Sequence, residues 1–354
     1  MPKPKYLIIG SPEAYSGKSA AVLGIATQLR HRGLEISYGK PVGTCLNQSQ
    51  ADEMDEDVRL MAEVLALPSN RLQPTLLFLD ETTIAKRIQA KEQIDYLQLL
   101  RQSMWTDGVD LVLLEGPGTL EEGRLFNLSL VQMAEAIDAG IILVTRFHSG
   151  LMVDALLTAK HQLGDRLVGI LINDIPTDQA EMAEAHIRPF LETHGIRVLA
   201  ALPRNNVLRS VSVTELVHQL DAQVLCRPDR LDLMVESLKI GAMNVNAALK
   251  YFRKAHNMAV VTGGDRTDIQ LAALETSTHC LILTGQIPPS DQVLARAEDL
   301  EVPILSVDLD TLTAVEIIDR TFGQVRLHEP IKVQCIRQLM EQHLDLDRLV
   351  ATLV

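Results

Sequence analysis

The chain has 354 residues, of which 47% are apolar and only 3% aromatic, so its core must consist mainly of aliphatic side chains. This length predicts two domains. The formal net charge of −13 argues against a nucleic-acid partner, because phosphate backbones are bound through an excess of Lys and Arg. No apolar run approaches the roughly 20 residues that span a bilayer, so we expect no membrane insertion. The scattered cysteines predict free thiols in a reducing, cytoplasmic compartment.

The first motif stands between a short apolar run and a helical pattern. Residues 6–9 predict a buried strand, residues 10–19 contain Gly17-Lys18-Ser19, and residues 20–29 predict a helix. A phosphate-binding loop requires this order, because the loop N–H groups and the helix N-terminus favour a bound anion. Lys18 is expected to reach the outer phosphates of a nucleotide, and the Ser19 hydroxyl is expected to bind Mg²⁺.

The spacing of this loop is unusual. The common pattern has glycine six residues before the lysine, where this chain has Pro12, and the nearest upstream glycine is Gly10. An inert strand-to-helix turn is therefore the alternative. If the loop binds nucleotide, its contacts are expected from Gly10, Glu13, Ser16, Gly17, Lys18, Ser19 and Ala20.

Charged side chains follow the next predicted strand, which begins at Ile36. Lys40 would leave the carboxyl end of that strand, the edge of a parallel sheet where ligands bind, with a solvated lysine as the alternative. Asp55 and Asp57 open a helix predicted over residues 58–67. Either acid is a candidate Mg²⁺ ligand, and helix capping alone would also explain both.

A second apolar strand, residues 109–114, ends at Glu115. A charged side chain directly after buried residues is costly unless it is paired or coordinated. Glu115 is therefore predicted to be functional, holding Mg²⁺ directly or through water across from the phosphate loop.

Strands and helices then alternate up to residue 202, which predicts a parallel sheet covered by helices on both faces. Asn173 falls at the carboxyl end of one strand. Its amide there is suited to an adenine edge, and a turn-forming Asn is equally consistent with the spacing.

Taken together, the first ~205 residues resemble the dethiobiotin-synthetase-like branch of P-loop proteins. The resemblance rests on residues 10–19, Lys40-Pro41-Val42, Glu115-Gly-Pro-Gly118 and Ile172-Asn173-Asp174-Ile175. It implies ATP or ADP with Mg²⁺ as ligands and a P-loop NTPase-type sheet. The longer loop and the Gly-Pro-Gly-Thr after Glu115 depart from the synthetase, and its diamine pocket has no match here. Nucleotide binding therefore carries over better than ligase chemistry.

The resemblance also implies roles for individual residues. Lys18 and Lys40 would contact phosphates and act as the catalytic residues. Mg²⁺ would be held by Ser19, Glu115 and an acid that maps to Asp55 or Asp57, with Asp57 as our choice. Asn173 would recognise the adenine.

The second half of the chain predicts a smaller α/β unit after a linker over residues 203–213. Gly264-Asp-Arg-Thr-Asp268 stands between a strand and a helix capped by Thr267 or Asp268. With Leu283-Thr-Gly-Gln286 it resembles the signature of the DRTGG domain, whose last glycine is replaced here by Gln286. Gly264, Asp265, Arg266 and Thr267 are a candidate second anion site. A structural clasp between Arg266 and a neighbouring aspartate is the alternative.

This combination resembles the N-terminal regulatory part of long bacterial phosphate acetyltransferases. We therefore predict a P-loop domain over residues 1–205, a DRTGG domain over 206–330 and a helical tail over 331–354, without acetyl transfer. The leading hypothesis is an ATP- and Mg²⁺-binding regulatory or sensor protein with at most slow ATPase activity. An ATP-dependent ligase and a structural adaptor with an inactive P-loop are the alternatives. Analogy with both relatives predicts a homo-oligomer and leaves a protein partner open.

Overall fold

The computed structural model describes residues 6–43, 54–104, 108–323, 327 and 329–353. Contacts divide the chain into two units. The first comprises Met1–Arg204 together with Leu327–Val354, and the second comprises Asn205–Arg326. The second unit is thus inserted into the chain of the first.

The first unit is built on a parallel β-sheet. The strands of its first segment are β1 (Tyr6–Gly10), β2 (Ile36–Gly39), β3 (Val42–Gly43), β4 (Leu77–Phe78), β5 (Leu111–Glu115), β6 (Gly140–Arg146), β7 (Leu167–Ile175) and β8 (Val198–Pro203). Six of them form one sheet in the order β2-β5-β1-β6-β7-β8, with every neighbouring pair parallel. The carboxyl ends of all six strands therefore lie at one edge.

Helices cover both faces of this sheet, as predicted. They are α1 (Lys18–His31), α2 (Glu56–Val64), α3 (Glu81–Ile88), α4 (Tyr96–Ser103), α5 (Leu130–Ala136), α6 (Met152–Leu163), α7 (Ala180–Met182) and α8 (Arg188–Thr193). Ile8 of β1 faces α4, α5 and α6 in one core cluster. Leu7 and Ile9 point to the opposite face because strand side chains alternate, and α1 packs there on β1 and β5.

The second unit is a smaller mixed sheet with helices on both faces. Its strands are β9 (Val211–Ser212), β10 (Gln223–Cys226), β11 (Met234–Val235), β12 (Ser237–Ile240), β13 (Met258–Gly263), β14 (Thr278–Thr284) and β15 (Ile304–Val307). Its helices are α9 (Asn206–Arg209), α10 (Val213–Leu220), α11 (Val245–Phe252), α12 (Thr267–Leu274), α13 (Asp291–Asp299) and α14 (Thr311–Gly323). The sheet order is β10-β15-β14-β13-β12, and only β10 pairs antiparallel.

The boundary between the two units, after Arg204, lies within the predicted linker 203–213. This segment also contains α9 and β9, and the Asn205 side chain caps α9 by accepting from the N–H groups of Val207 and Leu208. The predicted cap of α12 is wrong. Helix α12 begins at Thr267 with Arg266 as its N-cap residue and no side-chain cap. Asp268 does not cap this helix because its carboxylate pairs with Arg266 instead.

The tail returns to the first unit as two helices, α15 (Pro330–His343) and α16 (Leu346–Leu353). Helix α15 packs along α1 and β8. Arg348 of α16 donates two hydrogen bonds of 2.6 Å to the carboxylate of Glu192. The predicted amphipathic tail therefore buries its apolar side in this unit.

Other features of the described residues bear on the composition argument. No helix among them is both long and apolar enough to cross a membrane. Cys226, Cys280 and Cys335 are free thiols, whereas Cys45 lies outside the described residues.

Candidate nucleotide-binding site

The loop between β1 and α1 has the backbone conformation that its glycine predicts. Gly17 has φ of +94°, in the left-handed region that favours glycine. A Cβ atom at this position would also lie 2.5 Å from Nδ2 of Asn173. No side chain caps the start of α1, so its first N–H groups can donate to an anion.

Glu115 lies across from this loop because β1 and β5 are neighbours, with Ile9 opposite Glu115. The Ser19 hydroxyl donates to Oε1 of Glu115 over 2.9 Å. The Tyr38 hydroxyl donates to Oε2 of the same carboxylate over 3.1 Å. Glu115 is only 3% exposed, so these two donors replace the water that a carboxylate otherwise requires.

The electrostatics of this carboxylate follow from its burial. Burial raises the pKa of Glu115, and the nearby charge of Asp57 raises it further. The ammonium groups of Lys40 and Lys18 and the Ser19 hydrogen bond oppose this rise without cancelling it. Loss of solvent is thus the main cause of the raised pKa, and the two lysines offset it only in part.

Lys40 is buried, which excludes the solvated alternative. Its Nζ donates to Oδ1 of Asp55 over 3.1 Å and to Oδ2 of Asp57 over 2.5 Å. Burial lowers the pKa of Lys40, but the carboxylates of Glu115, Asp57 and Asp55 outweigh burial, so the pKa is raised. Asp55 is also the N-cap of α2, accepting from the N–H of Asp57 over 2.9 Å. Asp55 thus serves as both helix cap and ion-pair partner.

Lys18 projects from the start of α1 toward the segment that follows β5. Its Nζ donates to the carbonyl oxygen of Gly118 over 3.4 Å. Burial lowers the pKa of Lys18, whereas the charges of Glu115 and Glu122 raise it in part. Lys18 is half-buried, and reduced solvent around an ammonium strengthens its attraction to an incoming phosphate.

Two predicted residues fix the other side of the loop. Oε1 of Glu13 accepts from the N–H of Arg146 over 2.8 Å, and its Oε2 lies 2.9 Å from Nε2 of His148. Nδ2 of Asn173 donates to the carbonyl oxygen of Ser16 over 2.9 Å, and its Oδ1 accepts from the next backbone N–H, also over 2.9 Å. Asn173 therefore supports the loop from β7, with both amide atoms bonded inside the chain.

The remaining loop residues lie at its two ends and at its tightest point. Gly10 ends β1, where a Cβ atom would lie 2.3 Å from Cδ2 of Leu130. Ala20 lies in the first turn of α1. Ser16 is 1% exposed, and its Oγ has no hydrogen-bond partner among the described residues. An unpaired buried hydroxyl costs about 1–3 kcal/mol, so this atom marks a place where a ligand would be stabilised.

The predicted Mg²⁺ ligands lie in two places: Glu115 contacts Ser19, whereas Asp55 and Asp57 pair with Lys40. Asp55, Asp57 and Glu115 supply three carboxylates against two ammonium groups, and Mg²⁺ prefers oxygen ligands. The described residues contain no group of three or more His, Cys, Asp or Glu side chains that could hold a metal ion. Mg²⁺ here would depend on nucleotide phosphates and water for most of its ligands, as it does in phosphate-transfer sites.

Sequence reasoning did not find two residues of this site. Tyr38 could have been found from the sequence, because it stands two residues before Lys40 and side chains two positions apart on a strand point to the same face. Glu122 could not, because the turn that brings it to Gly118 is irregular. Tyr38 enters the site through a contact with Glu115, far away in the sequence, whereas Glu122 contacts Gly118 within a local turn.

In the second unit, the two signature segments meet at the carboxyl edge of the sheet. Gly263 of β13 lies opposite Thr284 of β14, and the N–H of Gly264 donates to the carbonyl oxygen of Thr284 over 3.1 Å. Gln286 has φ of +55°, the conformation that explains a glycine in the signature.

Arg266 adopts the structural clasp. Its Nε lies 3.2 Å from Oδ1 of Asp268, and it donates to the carbonyl oxygen of Met243 over 2.9 Å. Asp265 is exposed beside it. The candidate anion site at residues 264–267 stays a prediction.

The sheet order and the loop that precedes α1 define a P-loop NTPase-type α/β protein. The profile of the AAA domain family matches residues 5–212. Since this is more than half of the chain, the chain belongs to that AAA domain family. The profile of the DRTGG domain matches residues 215–321.

The matches to curated relatives extend over nearly the whole of this chain. The phosphate acetyltransferase of Synechocystis sp. is 25% identical over 362 residues, which cover 97% of this chain and 51% of that enzyme. That of Nitratidesulfovibrio vulgaris is 26% identical over 376 residues, 98% of this chain and 51% of the enzyme. The chain thus spans about half the length of these relatives. The predicted kinship with phosphate acetyltransferases is confirmed.

The similar solved structures include a DRTGG domain. It is the CBS and DRTGG domains of the regulatory region of Clostridium perfringens pyrophosphatase, complexed with the activator diadenosine tetraphosphate. It is 18% identical with a TM-score of 0.29 and covers 40% of this chain and 72% of that chain. A TM-score this low transfers neither ligand nor role.

Proposed function

We propose that this chain binds ATP or ADP with Mg²⁺ at the loop of residues 10–19 and serves as a nucleotide-responsive regulatory module. The observation that carries the proposal is the hydrogen bond of 2.9 Å between Ser19 and Glu115 at the start of α1. A hydroxyl at this position of a phosphate loop, next to a carboxylate, is the arrangement that holds Mg²⁺ against nucleotide phosphates.

Each neighbouring residue has a role in this proposal. Lys18 binds the outer phosphates and the N–H groups of Gly17 to Ala20 surround them. Ser19 and Glu115 hold Mg²⁺. Asp57 and Lys40 are paired with each other. Binding of Mg²⁺-nucleotide must separate this pair before Asp57 can bind the metal and Lys40 can bind the phosphates. Ser16 Oγ gains the partner that it lacks.

The proposed regulatory role rests on analogy with the longer relatives. Phosphate acetyltransferases contain the region that this chain matches as about half of their length. We propose that the region reports nucleotide levels, and the proposal does not extend to acetyl transfer. On the same analogy we propose a cytoplasmic homo-oligomer, which sedimentation with and without nucleotide would test.

Calorimetric titration of Mg²⁺-ATP and Mg²⁺-ADP into the intact chain tests the nucleotide site. Lys18→Ala should weaken binding by about 2–3 kcal/mol, or roughly a hundredfold, the range for hydrogen bonds to charged groups. Lys86→Ala is the matched control, because Lys86 is exposed on α3 of the same unit. EDTA should weaken binding in the wild type. A wild-type chain that is folded by circular dichroism and binds neither nucleotide would refute the proposal.

A further inference from the structure

Glu122 folds back onto the segment that follows β5. Its Oε1 accepts from the N–H of Gly118 over 2.9 Å, and its own N–H donates to Oγ1 of Thr119 over 3.2 Å. A Cβ atom at residue 118 would lie only 2.4 Å from Oε2 of Glu122. Glycine at 118 is therefore what lets the carboxylate come so close to the backbone.

Lys18 reaches the same residue from the other side. Its Nζ donates to the carbonyl oxygen of Gly118 over 3.4 Å. The charge of Glu122 also raises the pKa of Lys18, against the larger lowering by burial. Lys18 therefore contacts the carbonyl group of Gly118 and Glu122 its N–H group, so both side chains converge on one residue of the segment after β5.

This position matters because the lysine of a phosphate loop reaches the outer phosphates of a nucleotide. A terminal phosphate would accept hydrogen bonds from a lysine and from nearby backbone N–H groups. The carboxylate of Glu122 already accepts from one such N–H group, on the same residue that Lys18 contacts. The Glu122 carboxylate would therefore place a negative charge close to the γ-phosphate of a bound ATP.

We propose that Glu122 is a specificity-determining residue that makes the site prefer ADP to ATP. ADP leaves the carboxylate in place. The γ-phosphate of ATP must either displace it from the N–H of Gly118 or tolerate a like charge close by, and both reduce affinity. This inference rests on the proposed nucleotide site and adds to it a response to the ADP/ATP ratio.

Removing only the charge tests the inference. Glu122→Gln keeps the shape and the acceptor oxygen toward Gly118, so the fold should be retained. We expect its affinity for Mg²⁺-ATP to rise about tenfold or more, the effect of one charge-assisted contact, with Mg²⁺-ADP affinity nearly unchanged. Glu121→Gln is the matched control, because Glu121 is exposed and pairs with Arg124 instead. It should leave both affinities unchanged.

A second variant approaches the carboxylate from the backbone. Gly118→Ala places a methyl group where Oε2 of Glu122 lies, so it should displace the carboxylate and also raise ATP affinity relative to ADP. Agreement between the two variants would separate a charge effect from a loss of structure.

The outcomes are distinct. A wild type that binds both nucleotides equally, with a ratio that neither variant moves, would overturn the role of Glu122 and leave the nucleotide site standing. Loss of phosphate release in Glu122→Gln without a change in ATP affinity would instead identify a group that activates water, which also contradicts the inference. Absence of any nucleotide binding by the folded wild type would refute the proposed function itself.

Discussion

Ser19 and Glu115 are 96 positions apart in the sequence, yet the hydroxyl of one donates to the carboxylate of the other over 2.9 Å. The contact exists because β1 and β5 are parallel neighbours, which brings the end of β5 beside the start of α1. Tyr38 completes the group from β2, the next strand in the sheet. Three adjacent strand ends thus hold one buried carboxylate in a fixed orientation.

Tyr38→Phe should weaken Mg²⁺-ADP binding and destabilise the ligand-free protein. The change removes one of the two donors to Glu115, and an unsatisfied buried acceptor costs about 1–3 kcal/mol. Calorimetry and thermal unfolding with and without Mg²⁺-ADP would measure the two effects. Tyr251→Phe is the control, since Tyr251 is 58% exposed. Unchanged affinity in Tyr38→Phe would mean that Tyr38 does not position Glu115.

Acidic pH should reduce the stability with which α16 packs on the first unit. The hydrogen bonds from Arg348 lower the pKa of Glu192. A carboxyl group with a lowered pKa stabilises the folded state above its ordinary pKa, and this contribution is lost as the pH falls through the lowered value. The protection factors of the amides in residues 346–353, corrected for the pH dependence of intrinsic exchange, should therefore fall on acidification. Glu192→Gln should exchange fast already at neutral pH, whereas Glu181→Gln, at an exposed position of α7, should behave like the wild type.

Gly24→Ala should destabilise the first unit, although alanine normally favours a helix over glycine by about 1 kcal/mol. A Cβ atom at residue 24 would lie 2.2 Å from Cγ of Met340, where α15 packs on α1. Overpacking of this kind costs about 1–3 kcal/mol. Thermal unfolding of Gly24→Ala, Met340→Ala and the double variant would measure the coupling. Purely additive effects would show that this contact does not limit packing.

Gln286→Gly should stabilise the second unit. Gln286 has φ of +55°, and a left-handed conformation costs a residue with a side chain about 1–2 kcal/mol. Glycine at this position removes the strain, and its own backbone entropy cost, under about 1 kcal/mol, offsets only part of that gain. Differential scanning calorimetry of the intact chain would detect the shift. Gln292→Gly, on the surface of α13, should instead destabilise by about 1 kcal/mol. Destabilisation by both variants would contradict the strain argument.

The sequence by itself determined the fold class and the order of its elements. Strand, loop and helix at residues 6–31 follow from an apolar run, a glycine that needs a positive φ and a helical pattern, and all three are local properties. The DRTGG segments were equally visible, because glycines and strand ends mark them. Local reasoning predicted the wrong cap for α12, because Asp268 pairs with its near neighbour Arg266 and does not cap the helix.

Only the tertiary structure decided which charges meet. The sequence placed Lys40, Asp57 and Glu115 at the ends of elements, but not the pairing of Lys40 with two aspartates or the contact of Glu122 with Gly118. It also left open what the tail helices cover, and they pack on α1 and β8. These contacts depend on strand order and on an irregular turn. Strand order results from the packing of segments far apart in the chain, and the turn at residues 118–122 has no periodic pattern, so residue spacing along the sequence predicts neither.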